Sequence, residues 1–190
     1  MSLTLSQDAP ADELLDRDPL ALLLAMLLDQ QVPMERAFAA PYELRQRLGQ
    51  DLDAHTLADY DPEALGDLFA RPPALHRYPR SMAGRVQELS RALAERYDGD
   101  ATGLWRDVSD APELLDRLMA LPGYGKQKAQ IFVALLGKQR GIQPHGWRAA
   151  AGPYGEDGVY RSVADVTDAQ SLAKVREHKQ QMKAAAKTKK

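Results

Sequence analysis

The chain has 190 residues, 44% of them apolar and 27% charged, with a formal net charge of −2. That length suits one or two small domains with a core that buries roughly 70% of the unfolded surface. There is no cysteine, which excludes a disulfide, a cysteine nucleophile, a thiolate zinc site and a cysteine-held iron–sulfur cluster.

The predicted elements are helices nearly throughout, because no alternating Val, Ile or Thr run of useful length appears. The first is introduced by Asp18-Pro19, an N-cap acceptor before a proline at the first helical position. It contains the longest unbroken apolar run, the nine residues Leu20 to Leu28, too short to span a bilayer. Asp61-Pro62 introduces another helix in the same way. Arg71, His76, Arg77, Arg80 and Arg85 then fall in fifteen residues without an acid, with Tyr78 among them. Such a strip suits phosphate contacts with one aromatic, or simply a solvated face around a proline-broken loop. Val86, Leu89 and Leu93 mark the next helix, which stops at the turn Tyr97-Asp98-Gly99-Asp100. Trp105 reads as core. Asp110 and Glu113 have capping-box spacing ahead of Leu114, Leu115 and Leu118.

Leu121-Pro122-Gly123-Tyr124-Gly125 follows, between a helix ending near Ala120 and one running from Lys126 to about Gly137. The proline stops the first helix, and the glycines permit positive φ and leave amides uncovered. The next helix begins there with open N–H groups and the positive end of its dipole. This is an anion site suited to phosphate, with Lys126 and Lys128 adding charge; as structure alone it is a tight αα-turn. Residues 139–161 hold Gly141, Pro144, Gly146, Gly152, Pro153, Gly155 and Gly158 and read as loop and short turns. Thr167 and Gln170 have capping-box spacing, and the lysine- and alanine-rich end, Lys183 to Lys190, is expected to fray without a partner.

Charge is uneven along the chain. Residues 1–70 hold 14 acids and 4 bases, residues 71–140 hold 12 bases and 8 acids, and residues 171–190 hold 7 bases and 1 acid. A nucleic-acid partner would meet a basic face rather than a basic protein. The acidic N-terminus has no signal-peptide layout, so the expectation is a cytoplasmic protein with no membrane partner, nucleoid-associated in a prokaryote.

Residues Leu118 to Ala129, LMALPGYGKQKA, resemble the helix–hairpin–helix of the HhH-GPD DNA glycosylases, which include endonuclease III and the alkyl-base glycosylases. Leu22 to Val32, LLLAMLLDQQV, is similar to the family's early helix, and Tyr78 to Glu88 to the segment that closes its helical barrel. The resemblance implies an all-α, two-lobed fold. A six-helix barrel would span 19–138, with the helix–hairpin–helix at about 110–138. Residues 1–18 plus 139–190 would form the second lobe. It implies a monomer acting on double-stranded DNA that contains a damaged base, which is flipped out before its N-glycosidic bond is cleaved. Gln31 would fill the gap left in the stack. Arg77, Arg80, Arg85, Gly123, Tyr124, Gly125, Lys126 and Lys128 would contact DNA, with Tyr124 exposed at the hairpin tip. The carbonyls of Met119, Leu121 and Tyr124 would match the family's monovalent-cation site. No other cofactor is expected.

Two positions depart from the family. The Schiff-base lysine of its bifunctional members falls on Gln127, so no lyase activity is expected. Lys128, one residue on, is turned by about 100° and is expected to face solvent or phosphate. The family's catalytic aspartate falls on His145, and no Asp or Glu lies between Asp116 and Glu156. The candidates to replace it are His145 as a base, Glu156 and Asp157 from the glycine-rich loop, and Asp29 beside the glutamine turn. Trp147 would stack on the extruded base or anchor the core. A monofunctional glycosylase and a non-catalytic DNA-binding module of the same fold both remain open.

Overall fold

The structure is a computed structural model and describes residues 2–189. Its helices are α1 (Ala9–Arg17), α2 (Pro19–Leu28), α3 (Met34–Leu48), α4 (Ala54–Asp59), α5 (Pro62–Ala70), α6 (Pro79–Tyr97), α7 (Ala111–Met119), α8 (Lys126–Gln139), α9 (Trp147–Ala150) and α10 (Ala169–Thr188). Three 3₁₀ turns, at Ala101–Leu104, Gly152–Gly155 and Val163–Asp165, complete them, and no strand occurs among the described residues. The all-α expectation holds.

Side-chain oxygens set the helix starts. Asp18 accepts from Leu20 N–H at 2.9 Å, Asp61 from Ala64 N–H at 2.8 Å and Asp110 from Glu113 N–H at 3.0 Å. Two details differ from the spacing argument. Glu113 reaches back to Ser109, whose N–H and hydroxyl it accepts, rather than to the cap residue. The cap of α10 is Asp168, in a reciprocal box with Ser171, one residue later than Thr167 and Gln170 suggest. An ionised Asp is the stronger acceptor at a helix start, which favours that register. Of the lysine- and alanine-rich end, Lys183 to Thr188 continues α10, and Lys190 lies outside the described residues.

Every residue of α2 from Leu20 to Leu28 is buried, as a helix that is apolar all round must be. It is packed against α1, α3 and α6, while α6 also carries α4 and α5. α7 and α8 pack together across the hairpin, with α9 and the last two 3₁₀ turns wrapped around α8 and α10 set on the Val163–Asp165 turn. One core runs through all of this, from Leu3 to Val175. The N-terminal arm lies on α2 and α3 and reaches the C-terminal part of the chain through the ion pair of Asp16 with Arg140 at 2.8 Å. No helix among the described residues is long and apolar enough to cross a membrane.

Candidate nucleic-acid interface

The α7–α8 hairpin is pressed against the end of α2. Gly123 has φ +84°, and a Cβ there would lie 2.4 Å from Leu27 Cδ1, so glycine is needed both for the turn and for the close approach. Tyr124 is turned inward, 3% exposed. Its hydroxyl donates to Leu23 O at 2.6 Å, and its ring meets Phe132 edge-on at 6.1 Å. The expectation of an exposed Tyr124 on DNA is therefore corrected: an aromatic ring at this tip gains more from the core beneath it. Gly125 begins α8 with no side-chain cap, and Gly123, Gly125 and Lys126 are exposed. The first-turn amides of α8 thus open to solvent beside the exposed ammonium of Lys126, the arrangement that holds an anion.

The glutamine turn sits next to it. Gln31 is exposed, with φ +57°, a left-handed conformation that is uncommon for a residue with a side chain and recurs at functional sites. His76 holds the turn from beneath. Its Nδ1 accepts the Tyr78 N–H at 3.0 Å, so Nε2 carries the proton and donates to Gln30 O at 2.9 Å and Leu28 O at 3.1 Å. Burial lowers the pKa of this ring, which keeps it neutral and in that tautomer. His76, 1% exposed, is therefore a lock on the turn and not part of a phosphate strip. Tyr78 donates its hydroxyl to Gln31 Oε1 at 3.3 Å, with Arg77 5.4 Å above its ring. Arg85 approaches Gln30 Oε1 at 3.4 Å. Arg80 is exposed but paired with Asp67 at 2.6 Å.

Lys128 corrects a second expectation. Its ammonium donates to Met26 O at 2.5 Å and Leu27 O at 3.2 Å, satisfying the open carbonyls at the C-terminus of α2. Burial pulls its pKa down to about 8, against the opposing pull of Asp29. The helix turn that carries Lys128 away from the lyase position carries it onto α2, so it faces neither solvent nor phosphate. Gln127, at the lyase position, donates to the Tyr154 hydroxyl at 2.9 Å. Asp29, the first residue after α2, is held among these groups. Its carboxylate is 10% exposed and lies 3.7 Å from Lys179 of α10.

The other catalytic candidates lie elsewhere. His145 is exposed, and its carbonyl accepts the N–H of Ala111, the first residue of α7; the hairpin follows the opposite end of that helix. Glu156 pairs with Arg161 at 3.1 Å and Asp157 with Arg148 at 2.9 Å. The Glu156 carbonyl takes the ammonium of Lys138, twelve residues along α8 from Lys126, about 18 Å of helix. The glycine-rich loop therefore runs along α8: Tyr154 reaches Gln127 near the hairpin, whereas Glu156 is held at the C-terminal end of the helix. Trp147, for which the sequence offered either stacking on an extruded base or a core anchor, is 8% exposed. It packs on Gly137, where a Cβ would come within 2.3 Å of its ring, and serves as a core anchor.

The site is thus the junction of the α2 end, the α6 start and the α8 start, roofed in part by α10. The family resemblance pointed to Gln31, and turn chemistry together with that resemblance pointed to the hairpin. Both missed the locking role of His76 and the presence of Lys179 and Tyr154, because these arrive from distant segments. Their one visible signal was chemical: a histidine without a metal partner and a basic C-terminal run.

The family model for HhH-GPD superfamily base excision DNA repair proteins matches residues 24–190, a span that takes in the glutamine turn, the hairpin and α10. A comparison with curated proteins finds no match.

Proposed function

This chain belongs to the HhH-GPD superfamily of base excision DNA repair proteins, and from that membership and the junction just described we propose that it is a monofunctional DNA glycosylase whose catalytic carboxylate is Asp29. Duplex DNA would lie across the junction, with a phosphate on the first-turn amides of α8 beside Lys126 and Gln31 entering the gap left by the extruded nucleotide. Arg77 and Arg85 add positive charge on the same side. The carbonyls of Met119, Leu121 and Tyr124 suit a monovalent cation that would bridge to a phosphate: Leu121 O accepts the Tyr124 N–H at 3.2 Å and keeps a second lone pair.

The observation that carries this reading is the placement of Asp29, a nearly buried carboxylate two residues from Gln31, between Lys128 and Lys179. A carboxylate there stabilises positive charge developing on the sugar and takes a proton from an attacking water. As the water oxygen bonds to C1′, the C1′–N bond breaks and its electron pair leaves with the base. Alkylated purines, which already carry a positive charge and leave neutral, suit a site with one carboxylate. Gln127 has no amine to attack C1′, and Lys128 Nζ is engaged with carbonyls, so the abasic strand should remain uncut.

Single-turnover incubation with DNA carrying an alkylated purine tests this. The parent should release base, Asp29→Asn should do so about a hundred- to a thousandfold more slowly while binding DNA as before, and Glu156→Gln with Asp157→Asn should match the parent. A second reading, a DNA-binding module without chemistry, is favoured by the contact of Lys179 with Asp29. It replaces the first if the parent binds DNA and releases nothing from a broad lesion panel.

A further inference from the structure

We propose that the second half of α10 is an arm that lies along the phosphate backbone of duplex DNA, an inference that rests on the DNA-binding reading above. The first half of the helix is anchored. Ser171, Leu172 and Val175 are buried, Arg176 is ion-paired with Glu35, and Lys179 lies 3.7 Å from Asp29. From residue 180 to residue 189 every position is exposed, and the side-chain hydrogen bonds of this stretch stay within the helix. Met182 is 60% exposed. Roughly 15 Å of helix therefore stands clear of the body.

Its direction and charge say what it meets. From Arg176 to Lys179 the helix passes from Glu35, at the start of α3, to Asp29, at the end of α2. The free half leaves from Lys179, which lies beside Asp29 and acts, as Arg85 does, on Lys128 of α8, so it starts next to the glutamine turn and the hairpin. Lys183, Lys187 and Lys189 lie on it without an acid. Lys179, Lys183 and Lys187 follow one another at i, i+4 and i+8, a single stripe about 12 Å long.

Left alone, that stripe works against its own helix. Like charges at i and i+4 repel. A ten-residue segment without packing is also marginal as a helix in water. A polyanion alongside removes the repulsion and holds the helix, and lysines in the last turns keep a favourable interaction with the helix dipole. The chain as a whole is slightly acidic, with 14 acids against 4 bases in its first 70 residues, so this stripe is a local feature. A phosphate backbone that reaches the α8 amides and Gln31 is the anionic partner this position offers.

The test is a salt titration of duplex binding for the parent and for the triple variant Lys183→Gln, Lys187→Gln, Lys189→Gln, in which glutamine preserves helix propensity. The parent slope of log K against log salt should be steeper by about two to three units, and the variant should bind at least tenfold more weakly at physiological salt. Thermal unfolding, read in parallel, should be the same for both. Equal slopes overturn the arm and leave the DNA-binding reading standing. A parent that does not bind duplex at all overturns both. If the variant instead loses binding to anionic lipid vesicles while its DNA slope is unchanged, the stripe belongs to a membrane surface and the proposal fails.

Discussion

Lys128 shows how one helical step decides a residue's chemistry. Its ammonium caps α2 instead of facing a ligand, and burial holds its pKa at about 8, below the usual value near 10.4 that it regains on unfolding. Between those two values the unfolded chain binds more protons than the folded one. Stability therefore rises with pH across that window, as the cost of burying the charge disappears. Lys128→Met removes the titration, so from pH 7.5 to pH 10 the parent should gain urea resistance relative to the variant. Parallel profiles for the two proteins would show that this ammonium is as well solvated folded as unfolded. Asp29 and His76 belong to the same account. Each adjoins the α2 end, and each was legible in the sequence as a residue type but not as a neighbour, since the Leu28 and Gln30 carbonyls lie 48 and 46 residues from His76 and α8 and α10 bring Lys128 and Lys179 to Asp29 from further still.

At the scale of elements, the contact that matters most is hairpin against α2. Gly123 permits it, and Gly123→Ala would force both a left-handed alanine and an overlap with the buried Leu27. The expected cost is about 2 kcal/mol or more, seen as a fall of several degrees in Tm, with duplex affinity falling as the α8 start is displaced. An unchanged Tm would mean that the hairpin floats free of α2. Helix content, the hairpin and the N-caps Asp18, Asp61 and Asp110 could be read locally, because capping and turn chemistry depend on residues within a few positions. The loop over 139–161 could not. Its glycines allow many paths, and the one taken is selected by Trp147 settling on Gly137 and Gly155 against the Arg148 backbone. Those contacts hold Glu156 and Asp157 away from the hairpin, so a search for carboxylates by distance along the chain leads to the C-terminal end of α8.

The whole molecule gathers three features on one side: the open start of α8, the strained Gln31 turn with its lock, and the basic stripe of α10 running past Asp29. Acidic residues dominate the first third of the chain, yet the one that adjoins all three features is Asp29. On the function proposed above, this side opens duplex DNA and takes a nucleotide out of the stack. The most direct measurement is fluorescence of 2-aminopurine placed beside a lesion in duplex DNA, since the probe brightens when it loses its stacking partners. Saturating parent protein should raise the signal severalfold, and Gln31→Ala should bind the duplex through the same salt-dependent contacts while producing a much smaller rise. A parent that binds the duplex and leaves the fluorescence unchanged would contradict the account.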